Sequence, residues 1–236
     1  MNQKFSPNSK IFSGKPILLL TYIIIISPLI FFTVVMLQKI IPYLSFGHAD
    51  SFLSTKTEAT LDNNLFRIGF YIHITASWVV LVTGLLQFFP QMTSVYPKVH
   101  RSMGKIYVFG ILLFAAPSGL ILASFANGGL PAKTGFILQC FVWWFTTLIA
   151  FRKILDRNFK DHVRWMIRSY AITLAAMSLR TEGYFLHYFF GTKPIETYIT
   201  ITWLSWVGNL IIAETLITIG LDRFLLKKIY AKKQFT

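Results

Sequence analysis

Long apolar segments are the feature of this sequence that most restricts its fold. The 236-residue chain contains six apolar runs of about 20 residues each, and a helix of about this length is needed to cross roughly 30 Å of hydrocarbon. Inside a bilayer, every backbone polar group must be paired within the protein, which a helix achieves by itself. The sequence therefore predicts an all-α, polytopic membrane protein with six transmembrane helices, at Ile17–Leu37, Ile68–Phe89, Ile106–Ala126, Gly135–Phe151, Trp165–Phe190 and Ile199–Leu221.

The distribution of basic residues predicts how these helices are oriented. With six spans, the N-terminus, the second and fourth connections and the C-terminus lie on one side; that side carries 17 of the 23 Lys and Arg residues, and the other side carries 5. By the positive-inside rule, both termini are cytoplasmic. We expect a multi-pass protein of the cell's inner (plasma) membrane, with a basic N-terminus at 1–15, one six-helix domain at 16–226 and a basic tail at 227–236.

The net charge of +14 is explained by this sorting across the membrane. A nucleic-acid partner is not expected, because the charges follow membrane side and no soluble reader fold is present; the expected partner is the lipid bilayer. The single cysteine, Cys140, excludes a disulfide framework and a thiolate metal site. Phosphate-binding loops, H-E-x-x-H and a nucleophile elbow are also missing from the sequence, which disfavours hydrolases and ATP-driven pumps.

Charged and polar residues inside the apolar runs are the first candidates for function. Arg180 and Glu182 interrupt the fifth run, where an ionised side chain is costly unless it faces protein or water. At 100° per residue, one face of that run carries a stripe of six residues: His162, Ser169, Thr173, Ala176, Arg180 and His187. The stripe is predicted to face the bundle interior.

The second run presents a similar interior face, made of His73, Ser77, Val80, Gly84 and Gln87. At about 1.5 Å per residue, His73 and Arg180 lie at a similar depth, so we predict contact between them. Simpler structural roles stay open. His73 can be a packed imidazole bonded to a backbone carbonyl, Glu182 the counter-charge of Arg180, and Glu214 an ion-pair partner of Arg168.

The histidines suggest haem b as a cofactor. Haem in a helical bundle is commonly held by imidazoles from two helices, with Arg beside its propionates, and the chain offers an outer pair, His73 with His187, and an inner pair, His100 with His162. Two haems fit less well, since His162 and His187 lie about 37 Å apart along an uninterrupted helix and His100 precedes its predicted span. One haem or metal at the outer site is the alternative.

A basic cluster at the predicted cytoplasmic boundary has two explanations. Basic residues at this level anchor helices and meet lipid phosphates; alternatively they form a pocket for an anionic group such as a lipid head, a quinone-ring oxygen or a small acid. The cluster consists of His100, Arg101, Lys105, His162, Arg164 and Arg168.

Two motifs resemble the signatures of a known family. Residues 100–107 read HRSMGKIY and residues 161–171 read DHVRWMIRSYA, continuing to Leu179 and Arg180. They are similar to the H-R-x-x-G-(R/K)-x-Y and H-x-x-W-M-x-R-S-Y-A patterns of a bacterial family of predicted membrane proteins that carry a domain of unknown function. The resemblance covers about residues 65–190 and implies a His in the preceding span, which His73 matches; it implies no established activity. Val163 stands where a basic residue is common.

These observations support three functional hypotheses. The leading one is a redox-linked site, for haem b or a quinone-like molecule, inside the bundle, with His73 as ligand or proton donor and Arg180 as its charge partner. The second is a non-redox carrier or receptor for a small anionic or amphipathic compound, with Arg180, Arg101 and Arg168 as binding cations. The third is a scaffold in a larger membrane assembly.

Overall fold

The computed structural model describes residues 15–44, 52–89, 92–93 and 95–226, and the regular structure in these ranges is helical throughout. This confirms the predicted all-α class. The predicted tail at 227–236 and most of the predicted N-terminal segment lie outside the described residues. The α-helices are α1 (Lys15–Leu44), α2 (Glu58–Leu61), α3 (Asn64–Gln87), α4 (Pro97–Phe109), α5 (Ala116–Ser124), α6 (Gly129–Leu155), α7 (Phe159–Thr173), α8 (Ala175–Phe190) and α9 (Pro194–Thr218).

Five helical segments of the described chain are long and apolar enough to cross a membrane. They are Ile26–Tyr43 of α1, α3, the continuous stretch Pro97–Ser124, α6 and α9. The fifth predicted span is divided at Leu174 into α7, of 15 residues, and α8, of 16 residues. At 1.5 Å per residue, each covers only about 22–24 Å, which is less than the roughly 30 Å of hydrocarbon. The count of six spans therefore stays a prediction, and so does the cytoplasmic position of both termini, which depends on that count.

The third and fourth spans are both longer than the sequence-based prediction. The third span begins at Pro97 rather than Ile106, which places His100 inside the first turn of α4 instead of before the helix. Proline suits this position because the first helical N–H groups have no partner within the helix. The fourth span has 27 residues, and polar turns at both ends account for its extra length.

The successive segments α3, α4–α5, α6, α7–α8 and α9 alternate in direction. We call the end with Gln87, Pro97, Leu155 and Thr218 the basic end, and the opposite end the loop end. At the loop end, Lys56 Nζ donates to the Phe125 carbonyl oxygen at 2.8 Å and to Asn127 Oδ1 at 3.1 Å. Partial burial, together with the charge of Lys133, lowers the pKa of Lys56. This contact ties the segment before α3 to the turn between α5 and α6.

The core lies between α3, α4, α5, α6 and α7. Tyr107, Ile111 and Val80 are fully buried there, and Trp143 and Ile172 pack in the same cluster. Large apolar side chains such as Phe141, Phe145 and Ile211 stay exposed on the outside of the bundle, as expected for a surface that faces lipid. The polar groups described next are therefore enclosed by helices.

Candidate functional site

His73 lies on α3 against the third span and is fixed by a backbone carbonyl. Its Nδ1 atom is 2.9 Å from the Ala115 carbonyl oxygen. Because a carbonyl only accepts hydrogen bonds, Nδ1 carries the proton, and the neutral ring keeps its lone pair on Nε2. Ser77 Oγ lies 3.5 Å from Nε2. This geometry satisfies His73 as a packed imidazole and also leaves Nε2 as the atom that can bind a ligand.

The third span is locally widened next to His73. Gly110–Ala115 forms a π-helical segment, and Pro117, two residues later, has no N–H to donate to the preceding turn. The Leu112 carbonyl, five residues before Pro117, accepts a hydrogen bond from Trp144 Nε1 at 3.2 Å. The irregular segment therefore uses side chains from neighbouring helices to satisfy its backbone.

Gly119 provides the space for the histidine ring. A Cβ atom at this position would lie 3.1 Å from His73 Cε1 and 2.8 Å from Cys140 Sγ. Val80, two turns further along the predicted interior face of α3, is fully buried, and a Cβ on Gly84 would lie 2.6 Å from the rings of Tyr107 and Tyr170. The predicted interior face of the second span is thus confirmed.

A buried hydrogen-bond network joins α4, α6 and α7 beside this face. Tyr107 Oη is 2.8 Å from Ser169 Oγ and 3.0 Å from Thr173 Oγ1. Ser169 Oγ is 2.7 Å from Thr147 Oγ1, and Trp143 Nε1 donates to Thr173 Oγ1 at 3.0 Å. Every member has a partner, so the network serves to lock three helices together.

This network as a unit was not predicted from the sequence. Tyr107 belongs to the first of the two motifs and Ser169 to the second. The motifs were therefore the sequence signal that pointed to these two residues. Thr147 carried no such sequence signal, because the hydroxyl of a threonine in an apolar helix normally bonds a carbonyl of the preceding turn. Here Thr147 Oγ1 also makes this bond, 2.7 Å from the Trp143 carbonyl oxygen. Which helix its hydroxyl would meet depends on tertiary packing.

His100 and His162, one from each motif, both lie at the basic end. His100 is in the first turn of α4 and His162 in the first turn of α7. His162 Nδ1 is 2.8 Å from the Ala150 carbonyl oxygen, so Nδ1 must donate and Nε2 keeps its lone pair. His100 Nδ1 lies 3.4 Å from Thr93 Oγ1. The two imidazoles on α4 and α7 thus lie at the same end of the bundle, each with a hydrogen-bond partner at Nδ1.

Two ion pairs lie near the histidines. Arg168 Nη2 donates to Glu214 Oε2 at 2.9 Å, and its Nε bonds the other carboxylate oxygen, which confirms the predicted pair. The guanidinium of Arg168 also lies over the Trp165 ring, 4.6 Å from its centroid. Arg101 and Lys105, on the first turns of α4, are exposed.

The second pair was not predicted. Arg164 Nε donates to Asp222 Oδ2 at 2.7 Å, and the Asp222 side chain is fully buried. Burial acts to raise the pKa of Asp222, but the hydrogen bonds from Arg164 and from the Arg223 backbone outweigh it, so that the pKa lies below its usual value.

Arg180 does not contact His73, contrary to the prediction. It is exposed, its Nη1 donates to the Ala176 carbonyl oxygen of its own helix at 2.6 Å, and the salt bridges of the described residues do not include it. Glu182 is therefore not its counter-charge. His187 is exposed as well, with Nδ1 3.3 Å from the Thr192 carbonyl oxygen, so the predicted outer pair with His73 is not formed.

The break at Leu174 explains these errors. Ser169 and Thr173, before the break, are buried as the stripe predicts, whereas Ala176 and Arg180, after it, are exposed. The stripe assumed one uninterrupted helix. Beyond Leu174 the buried side is instead marked by Ala175 and Met177, since α8 packs mainly on α9.

Comparison with known families gives a match over most of the bundle. The family described as "Predicted membrane protein (DUF2306)" matches residues 70–217, which includes both motifs and extends past the expected limit near residue 190 into α9. Neither the curated proteins nor the solved structures contain a significant match to the chain.

Proposed function

Since the chain belongs to the DUF2306 family of predicted membrane proteins, we propose that it is an integral membrane redox protein whose His100 and His162 hold a b-type haem. Haem supplies one-electron transfer chemistry. The proposed site lies at the basic end of α4 and α7, two helices that the hydrogen bond between Tyr107 and Ser169 joins further along.

The observation that carries this proposal is the placement of two imidazoles, from two helices, at the same end of the bundle. A histidine that binds a metal almost always donates its other ring N–H to a carbonyl or carboxylate, which fixes the tautomer and the ring orientation. His162 makes this bond to Ala150. His100 has its Nδ1 beside Thr93, so the two Nε2 atoms are the proposed iron ligands.

The charges near the pair suit the two carboxylates of a haem. Arg101 and Lys105 follow His100 in the same motif and are exposed, so they are the proposed propionate partners. Arg164 and Arg168 are already bound to Asp222 and Glu214. We therefore assign Arg164 and Arg168 a structural role, in which they hold α7 against the C-terminal part of the chain.

The proposal is for one haem. His73 donates to Ala115 but has no second histidine near it among the described residues, because His187 lies at the exposed end of α8. The carrier hypothesis has less support, since the guanidinium of Arg168, one of its three cations, is occupied by both oxygens of Glu214.

An absorbance spectrum tests the proposal. The protein is produced in cells supplied with a haem precursor, purified in detergent, and compared with His100→Ala, His162→Ala and the matched control His187→Ala. We expect a Soret band that is lost in the first two variants and kept in the control. A wild-type protein that is folded and has no Soret band would refute the proposal.

A further inference from the structure

The packing of α8 on α9 is fixed by a polar contact. Ser178 Oγ donates to Asn209 Oδ1 at 2.9 Å, and Asn209 Nδ2 donates to the Ala171 carbonyl oxygen at 3.0 Å. The two helices run in opposite directions, so residues one turn later on α8 face residues one turn earlier on α9. The pair formed by Ser178 and Asn209 therefore sets the register for the rest of the interface.

One turn towards the loop end, this register places Glu182 opposite Ser205. Each is four residues from a member of the bonded pair, and residues four apart lie on the same helix face. The neighbouring Gly183 supports the alignment, because a Cβ atom there would be 3.5 Å from Ile201 Cδ1 of α9.

Glu182 and Ser205 each carry a buried oxygen with no hydrogen-bond partner in the described part of the chain: Glu182 Oε2 and Ser205 Oγ. Ser205 is fully buried. The nearest cation in sequence, Arg180, is bonded to the Ala176 carbonyl oxygen. A buried polar atom without a partner costs about 1–3 kcal/mol, so two of them facing each other call for a bridging group.

The same level contains a second unpaired couple, on the side of α9 that meets α6. A Cβ on Gly135 would lie 2.7 Å from Thr202 Cγ2, and α6 and α9 both run from the loop end to the basic end. One turn further, Gln139 is therefore level with Trp206. Gln139 Oε1, an acceptor, and Trp206 Nε1, a donor, are both buried and unpaired within the described residues.

We propose that Glu182, Ser205, Gln139 and Trp206, which we call the α9 polar layer, bind internal water molecules within the membrane-embedded bundle. Buried water typically makes about three hydrogen bonds to polar groups that have no other partner. Donors and acceptors are both present in this layer. Bound water there brings the Glu182 carboxyl into proton exchange inside the bundle. The inference does not depend on the histidine pair or on haem.

Hydroxyl-radical footprinting with mass spectrometry tests this layer in the full-length protein. Radicals formed from bound water modify adjacent side chains even where bulk solvent does not reach. Trp206 and Trp143 form a matched pair, because their exposed fractions are 7% and 6%, whereas Trp143 Nε1 is bonded to Thr173. We expect Trp206 to be modified severalfold faster than Trp143; equal rates in the wild-type protein would overturn the proposal.

A variant locates the water. Glu182→Leu removes one polar wall of the layer and should reduce the Trp206 rate towards that of Trp143, while the exposed Glu196→Leu should leave it unchanged. If Glu182→Leu fails to fold, the wild-type comparison still decides. An unchanged Trp206 rate in folded Glu182→Leu would contradict the assignment of Glu182 to the layer.

Discussion

Gly84 offers a sharp test of the packing that supports both sites. Replacing it with alanine places a Cβ atom 2.6 Å from Tyr107 Cε2 and 2.6 Å from Tyr170 Cε2. Neither ring is free to move aside, because Tyr107 Oη is bonded to Ser169 and Thr173 and Tyr170 Oη donates to the Leu81 carbonyl oxygen at 3.3 Å. The clash must therefore be relieved by shifting α3 or by breaking the network.

The magnitude follows from two opposing effects. Inserting a methyl group into a packed core costs about 1–3 kcal/mol of unfolding free energy, whereas Gly→Ala inside a helix gains about 1 kcal/mol. Gly208→Ala is the matched control, since the nearest atom to its added Cβ is Leu204 Cδ1 at 3.8 Å. We expect Gly84→Ala to be less stable than Gly208→Ala by about 1–3 kcal/mol.

Cys140 makes the assay direct. It is the single cysteine of the chain and is buried, so a thiol-reactive dye reports unfolding in detergent without added labels. Gly84→Ala should melt below the wild type or close to it, and Gly208→Ala at or above it. If Gly84→Ala melts at or above Gly208→Ala, the close packing of the two tyrosine rings on α3 is wrong.

Three further predictions use the same thermal assay. Tyr107→Phe should lower the unfolding free energy by about 1–2 kcal/mol, because two buried hydrogen bonds are lost; no change would contradict the network. The lowered pKa of Asp222 means that its stabilisation is present above the unfolded value of about 3.9 and is lost as pH falls through the folded value. Asp222→Asn should therefore destabilise at neutral pH and flatten the acid dependence, unlike the exposed Asp156→Asn. A double-mutant cycle on Arg168 and Glu214, whose carboxylate is 52% exposed, should give a coupling of no more than about 1 kcal/mol.

Much of the fold could be predicted from local sequence, and particular residues show why. The apolar runs place α1, α3, α6 and α9, since the length of hydrocarbon that a helix must cross is encoded in consecutive residues. The interior face of α3 follows from Val80 and Gly84 by helical periodicity alone. The ion pair between Arg168 and Glu214 follows from depth and opposite charge.

The wrong predictions concern residues that follow a local irregularity in a helix, because such an irregularity changes which side of the helix is buried beyond it. A break at Leu174 rotates the buried side of the following helix, so Arg180 and His187 move from the predicted interior to the outside. The π-helical segment Gly110–Ala115 shifts the phase of the third span in the same way. Asp222 was missed because it follows the last predicted span, where a carboxylate is expected to be solvated, whereas tertiary packing buries it against Arg164.

The central proposal is that His100 on α4 and His162 on α7 bind the iron of one haem through their imidazoles. Electron paramagnetic resonance of the oxidised, haem-loaded protein reports the axial ligands directly. We predict a low-spin spectrum typical of two imidazoles, which is lost together with the haem in His162→Ala and is unchanged in His187→Ala. A spectrum of another ligand set in the wild type, or one that His162→Ala leaves unaltered, would contradict the assignment of His100 and His162.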